Sequence, residues 1–297
     1  MTAASLGTFL GALDLSVNVA LPAITQAFAI DMTTVQWIII SYLGTSTGLQ
    51  LVFGRLADAH GLKRFYLIGI AIYTLAVLLI SLATTFEWVL AWRVLQAIGY
   101  AMVVTTVPAL VTRLFPDAER GRALGSMMSV GTLGMITATL GGGFLVDTFG
   151  WNSIFLFRVP LGLIAFFLAY AVLREAVSDE KQGRLDLGGI IALFVALVAL
   201  VLFLNLGGRF GWGSFSVIGL AGFMLAAGTW FVRIERRSTE PIIALDVFSG
   251  PVNRALIAGF LMSMATFVNL FILPFFVSDV VGASALVLGI LLTLPSI

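Results

Sequence analysis

The chain of 297 residues is 60% hydrophobic and 10% charged, with a mean hydropathy of +1.09. This composition excludes a soluble globular domain and indicates a membrane protein with several spans. The formal net charge of +1 gives no indication of nucleic-acid binding, and the absence of cysteine excludes disulfides, thiolate metal sites and thiol nucleophiles.

The apolar segments predict an all-α, polytopic transmembrane helical bundle, because about 20 residues are needed to cross a bilayer. Nine segments are long enough, at residues 5–28, 35–53, 65–83, 88–110, 123–146, 153–173, 187–206, 215–232 and 255–277. A tenth begins near Ala285 and ends with the chain after thirteen residues, which reach only about 20 Å. We therefore expect the sequence to be truncated. A cleavable signal peptide is not expected, since the first segment has no cationic start and contains Asp14.

The basic residues predict the orientation of these segments. Arg93 and Arg158 lie within helices, and Arg209 alone falls in a connection on one side. The remaining Lys and Arg residues all fall in connections on the other side, or in the turns next to them. Because such residues are retained on the inner face, we expect a cell-membrane protein with a cytoplasmic N-terminus.

The polar connections divide the chain into four predicted parts. Residues 1–173 would form a complete six-helix bundle, and residues 174–186 a cytoplasmic connection. Residues 187–233 would form a two-helix accessory insert facing lipid, because neither helix has an ionisable residue in its interior. Residues 234–297 would hold a basic connection and the incomplete start of a second bundle.

A charged stretch between the second and third segments, residues 53–66, predicts a short cytoplasmic loop. Gly54 and Gly61 bracket it, Asp58 would lie near the positive end of the next helix, and Lys63 and Arg64 would mark the lipid boundary. His60, in the same stretch, is expected to be solvated. An ordinary positively charged loop is the simpler alternative.

The same stretch resembles a loop motif of the major facilitator superfamily, Gly-x-Leu-Ala-Asp-x-x-Gly-x-Lys. It departs from that family at Ala59 and Leu62, where Arg is frequent. The resemblance implies that Asp58, Lys63 and Arg64 act as a latch between the second and third helices. The matching residues are Gly54, Leu56, Ala57, Asp58, Gly61 and Lys63.

Asp14 lies in the middle of the first segment, where a charged carboxylate costs on the order of 2.5 to 3.5 kcal/mol. It is either a structural tie between helices or a functional group facing a cavity. Asn18 follows one turn later on the same face. The run LDLSVNVALP resembles the first-helix signature of the fourteen-helix drug:proton antiporter branch of that superfamily, with Ser16 in place of Thr.

Arg93 lies in the fourth segment and cannot lose its proton. It either extends to the outer interface or faces Asp14 across the bundle. The run RVLQAIG resembles the family's fourth-helix motif Arg-x-x-Gln-Gly-x-Gly, retaining Arg93, Gln96 and Gly99 but with Ala97 at the first glycine. The resemblance implies a role for this arginine in proton transfer.

The fifth segment carries small residues at intervals of four, Gly134, Ala138 and Gly142, which allow a neighbouring helix to approach closely. Close packing is one interpretation; the antiporter motif is the other. That motif would place Gly-Pro at Ala138 and Thr139 and Gly-Gly at Gly142 and Gly143. The proline is missing, so the bend that it causes in the family is not assured here.

Arg158 lies in the first part of the sixth segment, at a position where the resemblance to the antiporter branch would imply Asn. A basic residue here either alters the charge preference for substrate or pairs with an acid. The sequence alone does not choose between these two roles.

The resemblance covers essentially all 297 residues and implies a secondary transporter. It would export small amphipathic compounds in exchange for protons by alternating access, with Asp14, Asn18, Arg93 and Gln96 on the pathway. The expected partners are the bilayer, the substrate and protons; no cofactor, metal or nucleic acid is expected, and the protein is expected to be a monomer. The alternatives are a truncated fragment that does not transport, or an exporter of another solute. An enzyme is disfavoured, because no catalytic constellation is visible.

Overall fold

The computed structural model describes residues 2–173, 187–238, 250–282 and 284–293, and within them only helices and short turns occur. The predicted connection at 174–186 and residues 239–249 of the predicted basic connection lie outside the described residues.

The first six predicted segments form helices in the expected order. Their bounds are α1 (Thr2–Ala12), α2 (Ser16–Phe28), α3 (Met32–Val35), α4 (Trp37–His60), α5 (Leu62–Ser81), α6 (Phe86–Leu114), α7 (Asp117–Ile136), α8 (Gly142–Phe149), α9 (Ser153–Leu156) and α10 (Arg158–Val172). The later segments form α11 (Leu187–Phe210), α12 (Phe215–Glu235), α13 (Gly250–Phe275) and α14 (Ala285–Thr293).

The helices are long and apolar enough to cross a membrane repeatedly. Over the described ranges seven spans meet this condition, or eight if Met32–Gln50 and Val52–His60, which meet at an angle of 50°, count as one span. The predicted ninth segment is helical, and Val252–Ala265 is its apolar part. The predicted all-α, multi-span fold is confirmed.

The first span is not one regular helix. A 3-10 turn, Leu13–Leu15, separates α1 from α2 and contains Asp14. A 3-10 turn is tighter than an α-helix and often marks a functional hinge or a strained sequence. The charged residue therefore sits at the one irregular point of this span, between Ser5 and Phe28.

The fifth span is also irregular near its middle. A π-helical turn, Thr137–Gly141, joins α7 to α8. It occupies the positions where the antiporter motif carries Gly-Pro, so the chain interrupts its helix there without a proline.

The small residues of the fifth span pack against the first span. A methyl group built at Gly134 would lie 2.8 Å from the Ala12 side chain, and one built at Gly142 would lie 2.7 Å from the Ser16 side chain. Gly143 is buried as well. Only glycine permits this approach, so the close-packing interpretation of the stripe agrees with the contacts.

The predicted loop at residues 53–66 is wrong in its extent. Helix α4 continues through Gly54 and Asp58 to His60, and the turn consists of Gly61 alone, with φ of +100°. Leu, Ala and Arg favour helix in this stretch, and Asp58 obtains a partner on α6. Asp58 consequently lies in the last turn of α4 and not at the start of α5.

We expect Gly61→Ala to destabilise the protein by about 1 to 2 kcal/mol, because the positive φ strains any residue with a Cβ. Thermal denaturation of the purified protein measures this loss. The matched control is Gly54→Ala, in a helix where an added Cβ meets nothing within 4 Å. Equal stability of the two variants would contradict the prediction.

The helices α11 and α12 pack on each other, and α11 also packs on α4. The Phe194 ring of α11 lies against Gly48, close enough that a Cβ there would approach it to 2.7 Å. Most residues of α11 and α12 are not buried. This exposure suits helices that face lipid, as the apolar sequence predicts.

Candidate functional site

A polar cluster lies inside the bundle around the Asp14 carboxylate. Tyr42 of α4 donates its hydroxyl hydrogen to Oδ2 of Asp14, and Gln96 of α6 donates from Nε2 to Oδ1 at 2.7 Å. Arg158 of α10 donates from Nη1 to the same Oδ1. Three other helices therefore converge on one carboxylate from the irregular turn of the first span.

Arg93 approaches the same group but is joined to it chiefly through Gln96. Its Nη1 lies 3.6 Å from Oδ1 of Asp14 and donates to Oε1 of Gln96 at 2.7 Å. The guanidinium stacks 4.1 Å above the Tyr42 ring, and the side chain is 2% exposed. Arg93 thus points into the bundle, and the alternative that it extends to the outer interface is wrong.

Arg158 is the arginine in direct contact with Asp14. Its Nη2 donates to the Leu13 carbonyl and to the Ser16 hydroxyl, each at 2.7 Å, and the side chain is 1% exposed. Of the two roles left open by the sequence, pairing with an acid is present in the structure. Arg158 also holds the ends of the 3-10 turn that carries Asp14.

Sequence reasoning did not place Tyr42 or Arg158 in this cluster. Arg158 is 144 positions from Asp14, and no local pattern relates residues so far apart. A signal was present nonetheless, because an arginine within an apolar segment requires a buried partner. Asp14 is the acid nearest the middle of a span, so it was the available candidate.

The cluster carries an uncompensated charge. Two guanidiniums share one carboxylate, which gives a formal charge of +1 when Asp14 is ionised. Removing one member of such a buried pair typically costs about 3 to 5 kcal/mol. Nε of Arg93 also donates to the Ile38 carbonyl and Nη2 of Arg158 to the Leu13 carbonyl, and these bonds reduce the cost of burying the two cations.

Asn18 is buried but does not join the cluster. Its amide donates to the Leu15 carbonyl of the preceding turn at 3.3 Å, instead of turning towards Asp14. The shared helical face inferred from sequence is interrupted because Asp14 lies within the 3-10 turn, whereas Asn18 lies in α2.

A cavity of about 250 Å³ adjoins the cluster, between the first, fifth and sixth spans. Arg158 and Ser16 border it on one side, and its other walls are mostly apolar, including Leu13, Ala138 and Phe144. The irregular turns of the first and fifth spans both contribute to its wall.

The predicted latch residues make contacts other than those expected. Asp58 accepts from Nη2 of Arg113 on α6 at 2.7 Å, and Lys63 donates to the Tyr170 carbonyl of α10 at 2.9 Å. Arg64 is exposed. The ion pair therefore links the second and fourth spans, and Lys63 links the third and sixth, whereas the sequence predicted a latch between the second and third.

Comparison with known proteins identifies the family. The model of the Major Facilitator Superfamily matches residues 4–297. The chain belongs to the major facilitator superfamily.

Relatives within the major facilitator superfamily include drug-resistance transporters. The chain is 37% identical over 251 residues to multidrug resistance protein Stp of Mycobacterium tuberculosis, covering 84% of this chain and 46% of Stp. It is 29% identical over 293 residues to riboflavin transporter RibZ of Clostridioides difficile, covering 97% of this chain and 62% of RibZ. The chain spans about half the length of the curated relatives it matches.

A solved structure supports the same fold. A bacterial homologue of the human lysosomal transporter Spinster, in an inward-facing and unoccupied conformation, aligns with a TM-score of 0.54 over 93% of this chain and 80% of that chain. The sequence identity is 17%, so the likeness concerns the fold. The major facilitator fold predicted from the sequence motifs is confirmed.

Proposed function

We propose that the complete protein carrying this chain exports small amphipathic compounds in exchange for protons by alternating access. Membership of a transporter family with multidrug-resistance relatives supports the general activity. The observation that carries the proton-coupled part is the largely buried Asp14 carboxylate, held by the fourth and sixth spans at an irregular point of the first. The protein would lie in the cell membrane as a monomer with its N-terminus in the cytoplasm.

Asp14 is the proposed proton carrier. A proton on its carboxylate removes the negative charge to which Arg158 and Gln96 donate, and so weakens the ties of the first span to the sixth and fourth. Loss of that proton restores them. The protonation state of one group would thus change how firmly three spans are joined, which alternating access requires.

The hydrogen-bond partners have distinct proposed tasks. Tyr42 stays within hydrogen-bonding reach of Oδ2 in either state, since its hydroxyl can donate or accept. Gln96 relays between Asp14 and Arg93, because its amide donates to one and its carbonyl accepts from the other.

Inward movement of one proton would gain about 2.3 kcal/mol per 100 mV, enough for roughly a fiftyfold gradient of an uncharged substrate.

Substrate-stimulated proton flux in proteoliposomes tests this function. With the complete protein reconstituted and an outward-directed drug gradient imposed, we expect acidification of the compartment that loses the drug. Liposomes without protein provide the control. Drug movement with no accompanying proton movement would refute the exchange and leave a transporter driven in another way.

An exporter of another solute with the same fold is the second candidate. The resemblance to RibZ, a riboflavin transporter, makes riboflavin the solute to test. The same proton-flux assay with riboflavin and with a drug separates the two. Stimulation by riboflavin alone would favour the second candidate.

We expect Asp58→Asn to change the transport rate more than the substrate affinity. The Asp58–Arg113 pair joins α4 to α6, and neither residue lines the cavity beside Asp14. Both side chains are partly exposed. An exposed pair contributes at most about 1 kcal/mol, so the rate should change by up to about fivefold. The control is Asp117→Asn, whose partner Arg120 lies on the same helix and joins no two spans. Unaltered rates in both variants would remove the latch role.

A further inference from the structure

The cluster around Asp14 differs from a simple acid and base pair in having one cation more than it has anions. Arg93 and Arg158 both lie within ion-pair distance of the single carboxylate of Asp14. Of the two arginines, Arg158 is the one that lines the adjoining cavity.

Arg158 lines a cavity whose other walls are mostly apolar, a combination that suits an amphipathic ligand. Arg158 and Ser16 form one side of the cavity of about 250 Å³, and apolar side chains form most of the rest. Phe144 and Phe157 at its wall are 53% and 42% exposed, so the cavity opens at the surface of the bundle. An amphipathic molecule can place its apolar part against these rings and its polar part near the guanidinium.

Water screens the net charge of the cluster only weakly. Arg158 is 1% exposed and Asp14 10%, so little water screens the cluster from a molecule in the adjoining cavity. At a separation of about 6 Å and an effective dielectric constant of about 20, a net unit charge changes the affinity for a monovalent ion by about a hundredfold.

We infer that Arg158 determines the charge preference of the transported substrate: the cavity accepts neutral or anionic amphipathic compounds and excludes amphipathic cations. This inference rests on the proposed function, because it takes the cavity as a place that substrate occupies. It assigns Arg158 a role in specificity in addition to its contact with Asp14. The preference is opposite to what an isolated carboxylate at Asp14 would produce.

Equilibrium binding of three compounds that share a naphthalene ring tests the inference. The anion is naphthylacetate, the neutral compound is naphthylacetamide and the cation is naphthylmethyl trimethylammonium. With the purified complete protein in lipid nanodiscs, we expect the cation to bind at least about tenfold more weakly than the amide. The anion should bind as tightly as the amide or more tightly.

Three variants locate the cause of this preference. Arg158→Asn should raise the affinity for the cation by about tenfold or more relative to the amide, whereas Arg158→Lys should retain the exclusion because it keeps the charge. Arg122→Gln removes an exposed cation on α7 and is expected to behave as wild type. Equal binding of cation and amide to the wild-type protein overturns the inference, and so does an unchanged ratio in Arg158→Asn. Binding of none of the three compounds overturns it as well.

If Arg158→Asn fails to fold, equal binding of the cation and the amide to the wild-type protein or to Arg158→Lys still overturns the inference. Its failure is separable from that of the proposed function. If the cation is excluded but no drug stimulates proton flux, the charge preference is supported and the exchange of drug for protons is refuted. If the protein exports the cation in exchange for protons, the exchange is supported and the charge preference is refuted.

Discussion

Asp14→Asn is expected to abolish proton-coupled efflux by the complete protein, because an amide in place of the carboxylate cannot carry a proton. Efflux of a fluorescent drug by inverted membrane vesicles, energised with an imposed pH gradient, measures the effect. Asp14→Glu keeps an ionisable group at the cluster and should retain part of the activity.

A control is needed because this substitution also disturbs folding. It leaves Arg93 and Arg158 without their shared anion, at a cost of about 3 to 5 kcal/mol. The double variant Asp14→Asn with Arg158→Asn removes one charge of each sign and restores the formal charge of the cluster. We expect its melting temperature to recover towards wild type while proton-coupled efflux stays absent. Wild-type efflux in this double variant would exclude Asp14 as the proton carrier.

Gly99→Leu is expected to destabilise the protein by about 3 kcal/mol or more. A Cβ at Gly99 would lie 2.5 Å from the Tyr73 backbone nitrogen and 2.7 Å from the Gly69 carbonyl oxygen of α5. Backbone atoms cannot rotate away, so α5 and α6 would have to separate. These helices form the most extensive contact in the first bundle, beside the cluster.

The melting temperature of the purified protein measures the loss. Gly125→Leu is the matched control, because Gly125 is exposed on α7 and an added Cβ there meets nothing within 4 Å. A similar drop in melting temperature in both variants would mean that leucine destabilises the protein at any helical glycine. The close contact between α5 and α6 would then not explain the effect of Gly99→Leu.

Much of the fold followed from local pattern. Apolar runs longer than 18 residues predict spans wherever they occur, because the hydrocarbon thickness sets the length of a helix. The positions of Asp14, Arg93 and Arg158 within such runs already marked them as residues needing partners. The error at residues 53–66 arose because two glycines and a cluster of charges favour a loop locally. Tertiary pairing of Asp58 with Arg113 instead stabilises the helix as far as His60.

The sequence by itself determined the class of protein, the order of its spans and which side chains are too polar to face lipid. Only the tertiary structure decided how those side chains combine, because the contacts of Asp14 with Tyr42, Gln96 and Arg158 join helices that no periodicity relates. It also decided that Asn18 stays apart and that Arg158 borders a cavity. A buried charge must find its partner in space, and the distance along the chain sets no limit on where that partner lies.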